Sequence, residues 1–259
     1  MRNFFILLSV ALVTLMPNFL VSCGNDGTGP GPSPLPQPQG PGYHLFYDQF
    51  VYEAGDYTQS VSSCDLDGDG FPDLVAANSA SGNISILFNR GNGTFAPSVE
   101  QAVGSQPLSV CTADFDGDGD LDIATANGSA GNVTVLINSG EGYISGTYFY
   151  GTDGAAVSVA SADFDGDGAP DLVTANMDSA TVSVLIGEGD GTFEPAVEYY
   201  AGNDPFSVAC GNLDGDGRTD IAVASLQGFD RAVAILRGNG NGTFQPAVHA
   251  AAPCCPTTV

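Results

Sequence analysis

Four short segments of the chain combine aspartate and glycine at a spacing that suits a divalent cation. They begin at residues 65, 114, 163 and 212, so the step from each segment to the next is 49 residues. Each follows the pattern Asp-x-Asp-Gly-Asp-Gly-x-x-Asp, except that the fourth begins with Asn212. Three identical steps are not expected by chance, and they identify an internal repeat.

The residue types in these loops favour calcium, which takes six to eight oxygen ligands. Carboxylates at loop positions one, three, five and nine would surround the ion with a backbone carbonyl from position seven, and glycines at four and six allow the chain to bend. The predicted side-chain ligands are Asp65, Asp67, Asp69 and Asp73; Asp114, Asp116, Asp118 and Asp122; Asp163, Asp165, Asp167 and Asp171; and Asn212, Asp214, Asp216 and Asp220.

Electrostatic repulsion supports this prediction. Two carboxylates 4 Å apart repel by about 4 kcal/mol at an effective dielectric constant near 20, and a divalent ion converts that repulsion into attraction. Zinc is disfavoured because the loops contain no His or Cys, and magnesium because it retains more water. We therefore expect up to four structural calcium ions, the fourth bound more weakly because Asn212 is neutral and Arg218 lies nearby.

Two other calcium-binding designs fit poorly. An EF-hand loop needs Glu at position twelve, where this chain has Ala76, Thr125, Thr174 and Val223. The nonapeptide β-roll has a period of nine residues, whereas the period here is 49. The loops are therefore expected to join strands.

The segments around each loop alternate apolar and polar residues, which is typical of strands. Around the third loop these segments are 157–162, 172–176 and 181–186, followed by a Gly-rich turn and a fourth strand near 196–200. Each repeat is therefore predicted to be a four-stranded antiparallel unit the size of a propeller blade. Such a sheet has two apolar faces and must stack on its neighbours. The predicted fold class is all-β, a propeller-like array of four blades.

The core pattern, Asp-x-Asp-Gly-Asp-Gly-x-x-Asp-Leu/Ile, and the turn Gly-x-Gly-Thr-Phe-x-Pro resemble the FG-GAP/VCBS repeats of integrin-α-like β-propellers. The resemblance covers roughly residues 43–250. Family propellers usually close with about seven blades, and Phe50 to Gly55 resembles the fourth strand of a missing preceding unit. A small ring, an open arc and part of a longer or oligomeric assembly all remain open.

The resemblance implies adhesion or the binding of an unidentified protein or glycan ligand. The alternatives are a structural spacer or a non-catalytic module of a polysaccharide-acting system. Propellers bind through loops that differ between repeats, so the loop 227–231 is a candidate. A second candidate is a group of tyrosines that could stack on sugars if exposed: Tyr148, Tyr150, Tyr199 and Tyr200.

The N-terminus predicts export. Arg2 precedes an apolar run over 4–15, and Leu20 to Cys23 resembles a lipoprotein signal, so residues 1–22 are the expected signal peptide and Cys23 the expected lipidated residue. An ordinary signal peptide of a secreted protein is the alternative. Residues 23–42 form a Pro/Gly-rich tether, and 43–259 form the repeat domain. The expected location is the outer membrane or cell surface, with the lipid at Cys23 as the only membrane contact.

Charge and residue content narrow the functional classes. With 30 acidic and 5 basic residues the net charge is -25, which repels nucleic acid and anionic headgroups. Only His44 and His249 could serve as a histidine base, and both lie outside the loops. We therefore expect no enzyme activity.

The cysteines predict no disulfide framework. Cys64, Cys111 and Cys210 lie at different offsets from the loops and are expected to be small buried strand residues. Cys254 and Cys255 are adjacent, and nothing in the sequence fixes their pairing.

Overall fold

The computed structural model describes residues 19–23, 50–225 and 232–251. The predicted tether from residue 24 onwards, His44, the loop 227–231 and the pair Cys254 and Cys255 lie outside these ranges, as does the signal peptide before residue 19. Within the described ranges, no helix has the length and apolar character needed to cross a bilayer.

Strands make up the regular structure of the described chain. A two-stranded pair comprises β1 (Phe19–Cys23) and β2 (Phe50–Ala54). The first blade comprises β3 (Thr58–Cys64), β4 (Asp73–Asn78), β5 (Asn83–Leu87) and β6 (Val99–Ala102). The second comprises β7 (Pro107–Ala113), β8 (Asp122–Asn127), β9 (Asn132–Asn138) and β10 (Ile144–Gly151). The third comprises β11 (Ala156–Ala162), β12 (Asp171–Asn176), β13 (Thr181–Leu185) and β14 (Val197–Tyr200). The fourth comprises β15 (Pro205–Gly211), β16 (Asp220–Ser225), β17 (Ala232–Leu236) and β18 (Val248–Ala251).

Each blade is an antiparallel sheet whose four strands are ordered as in the sequence. The predicted all-β fold class, with four blade-like sheets, is therefore confirmed. All six residues of β12 are buried, whereas three of the four residues of the outer strand β14 are exposed. The middle strands are covered on both faces, as the stacking of apolar sheets requires.

Consecutive blades pack face to face. We call the face turned toward the next blade in the chain the leading face, and the opposite one the trailing face. Between the second and third blades, the leading-face residues Ala124 and Val135 join Leu172 and Leu185 of the trailing face in one buried cluster. Small residues of one blade thus pack against large residues of the next. Burial of each Leu contributes about 1.5–3 kcal/mol to the stability of the folded state.

The first strands of the blades lie side by side at the inner edge of the array. Each of these strands has a register irregularity near its start, and the residue that follows it is a serine. Its hydroxyl accepts a hydrogen bond from a backbone N–H of the next blade's first strand. The N–O distances are 3.4 Å for Val110 to Ser60, 3.2 Å for Val159 to Ser109 and 3.3 Å for Val208 to Ser158.

The described blades form an open arc. In the described part of the chain, the inner strands of the first and fourth blades do not pack side by side. The segment Phe50–Ala54 nevertheless has the surroundings of an outer strand, because Tyr52 packs edge-on against Phe95 with ring centroids 5.3 Å apart. Tyr150 and Tyr199 contact Phe193 and Phe244 in the same manner at the next interfaces. β2 thus contacts the first blade as the outer strands contact the blades that follow them, and its origin in a preceding unit stays a prediction.

The strand β1 pairs in parallel with β2, from Phe19 beside Phe50 to Cys23 beside Ala54. In the blades the corresponding edge of an outer strand is occupied by an antiparallel third strand. The pairing of the segment that ends the predicted signal peptide therefore differs in direction from the pairing of the outer strands in the blades. Cleavage before Cys23 stays a prediction.

Cys64, Cys111 and Cys210 lie on strands β3, β7 and β15 and form no disulfide. The expectation of strand positions is confirmed for all three, whereas burial is confirmed for Cys64 and is only partial for Cys111 and Cys210. Burial raises the pKa of the Cys64 thiol to about 11 and that of the Cys111 and Cys210 thiols to about 12. At neutral pH these groups are therefore uncharged.

We expect Cys111 and Cys210 to resist iodoacetamide at pH 8 in the folded protein, because the thiolate is the reactive form. A pKa near 12 lowers the thiolate fraction on the order of a thousandfold from that of a free cysteine. Peptide mass spectrometry of native and denatured samples measures the labelling. Equal labelling rates in the two samples would contradict this assignment.

Candidate metal centres

Each Asp/Gly loop connects the first and second strands of its blade, as predicted. In the second blade the loop runs from the end of β7 to the start of β8, where Asp122 is the first residue of the strand. Strand pairing fixes both ends, since Ala113 lies opposite Asp122. The loop's aspartates are therefore brought into one small region by the sheet itself.

The aspartate at position one holds the turn together. Asp114 Oδ1 accepts the N–H of Gly117 at 2.7 Å, and its Oδ2 accepts the N–H of Gly119 at 3.0 Å. Both glycines have positive φ, 75° and 97°, a region that other residues adopt only with strain. The third loop repeats this with Asp163, whose two oxygens accept from Gly166 and Gly168.

The aspartate at position nine is fully buried and connects the loop with the third strand. Asp122 Oδ2 accepts the N–H of Phe115 at 2.8 Å, and Oδ1 accepts the N–H of Asn138, at the end of β9, also at 2.8 Å. The same pair of hydrogen bonds occurs in all four blades. The donors are Leu66 and Asn89 to Asp73, Phe164 and Gly187 to Asp171, and Leu213 and Gly238 to Asp220.

Three loops bring the carboxylates at positions one, three and nine together, with one oxygen of each within 4.8 Å of the others. These triads are Asp65, Asp67 and Asp73; Asp114, Asp116 and Asp122; and Asp163, Asp165 and Asp171. The aspartate at position five, also a predicted ligand, lies outside each triad. Its Oδ1 accepts the N–H of position seven, as in Asp118 with Asp120 at 2.9 Å.

The triads carry the electrostatic cost expected of crowded carboxylates. Burial, with the charges of Asp116 and Asp118, raises the pKa of Asp122 to about 6, against the effect of its two N–H donors. Burial, with the charges of Asp165 and Asp163, likewise raises the pKa of Asp171 to about 6. Each triad is thus short of positive charge, which is the condition under which a cation binds.

One oxygen in the first triad fits a cation directly. Asp65 Oδ1 is buried and has no hydrogen-bond partner, although the other oxygen of this carboxylate accepts the N–H of Gly70 at 2.9 Å. A buried carboxylate oxygen without a donor is costly. A metal ion held by the triad would supply the missing interaction.

The fourth loop differs from the other three. Asn212 replaces the first carboxylate, and its Oδ1 accepts the N–H of Gly215 at 2.8 Å. Arg218 forms an ion pair with Asp216, and Arg237 Nε lies 3.6 Å from Asp214 Oδ2. Among the described residues, acidic triads form in the first three loops and not here.

The loops also connect neighbouring blades, which the sequence analysis did not predict. The carbonyl of Phe115 in the second loop accepts the N–H of Gly191 at 2.9 Å, and Phe164 accepts from Gly242 at 3.1 Å. Between the first two blades, Asn138 Nδ2 donates to the Leu66 carbonyl at 2.8 Å. The glycine turns of the third and fourth blades thus bind the loop of the preceding blade. The recurrence of the glycine turn in the repeats was the sequence signal from which this contact could have been predicted.

Comparison with family models identifies the repeat. The FG-GAP-like repeat model matches three overlapping stretches, residues 65–125, 114–174 and 163–223. Together they cover more than half of the chain. The chain belongs to the FG-GAP-like repeat family. No curated protein matches the sequence.

Solved structures share this FG-GAP-like fold. An Agrocybe aegerita lectin that specifically recognises non-reducing terminal N-acetylglucosamine is 27% identical, with a TM-score of 0.51 over 72% of this chain and 50% of the lectin chain. A Lactobacillus plantarum protein is 14% identical, with a TM-score of 0.57 over 82% of this chain and 60% of its own. BBS1N, solved in complex with ARL6DN, is 19% identical, with a TM-score of 0.51 over 73% and 55%. The chain thus spans about half the length of these relatives.

The substitution Asp122→Asn tests the role of position nine. An amide can accept from only one side, so either Phe115 or Asn138 loses its acceptor, and we expect a loss of about 1–3 kcal/mol in unfolding free energy. Chemical denaturation in the presence of a chelator measures this loss without any metal contribution.

The matched control is Asp118→Asn in the same loop, because Asp118 is exposed and lies outside the triad. It should change chelated stability by less than about 0.5 kcal/mol. Equal losses in the two variants would show that position nine has no special structural role.

Proposed function

We propose that this FG-GAP-like domain is stabilised by calcium and acts outside the cytoplasm in adhesion or in the binding of a glycan or protein ligand. The observation that carries the calcium part is the gathering of three carboxylate oxygens within 4.8 Å in each of three loops. The binding part is supported by exposed aromatic side chains on the outer strands and by the likeness to a lectin.

Calcium suits the donor set better than other common ions. The triads offer oxygen ligands only, without the nitrogen or sulfur that zinc prefers, and calcium accepts irregular oxygen shells that magnesium does not. The first three loops would hold the ions through positions one, three and nine. Position five would join only if its carboxylate turned inward, which in the fourth loop would break the pair between Asp216 and Arg218.

Native mass spectrometry with increasing calcium tests this proposal. We expect three ions to bind first and a fourth only at higher concentration, since Asn212 and two arginines weaken the last loop. The melting temperature should rise with calcium and fall on chelation.

The variant Arg218→Ala should strengthen the fourth site, because it frees Asp216 from its ion pair. Arg90→Ala, which removes a basic residue outside the four loops, is the control. An unchanged melting temperature on chelation, or simultaneous binding of four equal ions, would refute this part of the proposal.

The candidate binding surface lies on the outer strands. Of the four tyrosines singled out by the sequence, Tyr148 and Tyr200 are 46% and 58% exposed. Tyr150 and Tyr199 instead pack against Phe193 and Phe244 of the next blade. Exposed tyrosines offer flat faces on which the apolar side of a sugar ring can stack. The Agrocybe aegerita lectin, which recognises terminal N-acetylglucosamine, makes a glycan the first ligand to test.

A glycan array that includes terminal N-acetylglucosamine tests ligand binding. We expect Tyr148→Ala or Tyr200→Ala to weaken binding of the recognised glycan at least about tenfold. Tyr57→Ala, in which an exposed tyrosine at the start of the first blade is removed, serves as the control. Absence of binding to any glycan or surface protein would favour the spacer alternative.

The last part of the proposal is that the protein is exported and carries a lipid at Cys23. Calcium affinity in the range of about 10⁻⁴–10⁻³ M is typical of extracellular modules, where the free ion is abundant. A lipid at Cys23 would then place the domain on a membrane surface at the end of the Pro-rich segment that follows. Labelling with a radioactive fatty acid, with Cys23→Ser as the comparison, tests the anchor.

A further inference from the structure

The two ends of the arc expose residues that are buried at every internal interface. On the leading face of the fourth blade, Leu213 is 54% exposed, whereas its counterparts Leu66, Phe115 and Phe164 are each 1% exposed. On the trailing face of the first blade, Val61 is 46% exposed, whereas its counterparts are 6–9% exposed. These counterparts are Val110, Val159 and Val208.

The sheet of the fourth blade has the same asymmetry. In β16 the residues that face the third blade, Ile221 and Val223, are fully buried, whereas Ala222 and Ala224 on the leading face are only partly covered. Val233 on the same face is 39% exposed, although its counterparts in the other blades are fully buried. The leading face thus keeps the apolar character of an interface without being covered in the described chain.

We propose that this leading face docks on the first blade of a second copy of the chain, head to tail. The contact would continue the blade-to-blade interface already present three times in the arc. Two copies joined at both ends would close a ring of eight blades, a size within the range of propellers. The interaction is separate from the ligand binding proposed above.

The backbone groups needed for this contact are present at both ends. In each internal interface a serine after the irregular turn accepts the N–H of a valine in the next blade. Ser207 is the equivalent of these acceptor serines in the fourth blade, and Val61 is the equivalent of the donor valines in the first blade. The carbonyl of Leu213 likewise corresponds to that of Phe164, and Gly93 corresponds to the donor Gly242.

The outer strands indicate how the two copies would fit. Wherever a blade has Phe in its glycine turn, the preceding outer strand has Tyr, and the pairs are Tyr52 with Phe95, Tyr150 with Phe193 and Tyr199 with Phe244. The second blade has Ile144 at the Phe position, and the preceding outer strand has Gln101 at the Tyr position. Each outer strand is thus matched to the blade that follows it.

By this rule β18 does not match the first blade. In the third blade Tyr199 pairs with Val182, whereas in the fourth blade the equivalent pair is Ala250 with Val233. β18 therefore has alanine at the position where a tyrosine is needed. The match for Phe95 is Tyr52 of β2, which therefore belongs at this interface. In the docked pair β2 of one copy would replace β18 of the other beside β17, and removal of the segment before Cys23 would free its edge.

The distribution of charge is compatible with the contact. Three of the five basic residues of the chain, Arg218, Arg231 and Arg237, lie in the fourth repeat, whereas the first has Arg90 alone. Arg237 stands where Ile186 and its counterparts are apolar, which departs from the internal interfaces. Its guanidinium faces Asp214, so its charge remains paired.

The double variant Val61→Cys with Ser207→Cys tests the proposal in the chain that lacks residues 1–22, with calcium present. Under oxidising conditions we expect a covalent dimer on a non-reducing gel, because the two positions meet only between copies. Each single variant is the control and should give no such dimer. A double variant that stays monomeric would overturn the proposal.

A second measurement uses light scattering of the protein with unaltered cysteines. We expect a dimer at high micromolar concentration, and Leu213→Asp should raise its dissociation constant at least about tenfold. Val197→Glu, at a residue 51% exposed on the outer strand β14, is the matched control and should leave the dimer intact. A monomer in the unaltered protein, or equal weakening by both variants, would refute head-to-tail docking, whether or not the protein binds glycans.

Discussion

The buried carboxylate at position nine of each loop is the interaction on which the rest of the blade depends. In the third blade, Asp171 accepts the N–H of Phe164 within the loop and that of Gly187 just beyond β13. One side chain therefore fixes the loop, the start of the second strand and the turn after the third. The cost of this arrangement is a buried negative charge, visible in the raised pKa. A cation at positions one and three would offset that charge, so that metal binding and blade stability would be coupled.

The same coupling extends from one blade to the next. The loop that Asp171 holds presents the Phe164 carbonyl to Gly242 and the Phe164 ring to Phe244, with centroids 5.2 Å apart. A change in the loop geometry would therefore alter the interface as well as the blade. In a linear array each unit is stabilised mainly by its neighbours. Loss of one loop is thus expected to weaken two blades rather than one, and the ions would stabilise the array as well as the strand connections.

Sequence reasoning predicted the elements that follow directly from periodicity. The 49-residue step, the strand order around each loop and the outer-strand character of Phe50 to Gly55 needed only pattern matching. It did not predict that the carboxylates divide into a triad and an outlying position five, because that depends on which N–H groups each carboxylate meets. The bond from Asn138 to Asp122 joins residues sixteen apart and depends on strand register. The serines at 60, 109, 158 and 207 recur at the repeat interval, but a hydroxyl alone does not indicate its donor.

The fourth blade combines two kinds of surface that usually occur separately. A terminal repeat that only caps an array is expected to have a polar outer face, and the changes to Asn212, Arg218 and Arg237 have that character. The centre of the same face keeps Leu213, Val233 and Ile235, which a cap would replace. A polar rim around an apolar centre is instead the usual composition of an interface between proteins that also exist apart. The mixture is therefore explained better by an end that meets another folded unit than by one that only meets water.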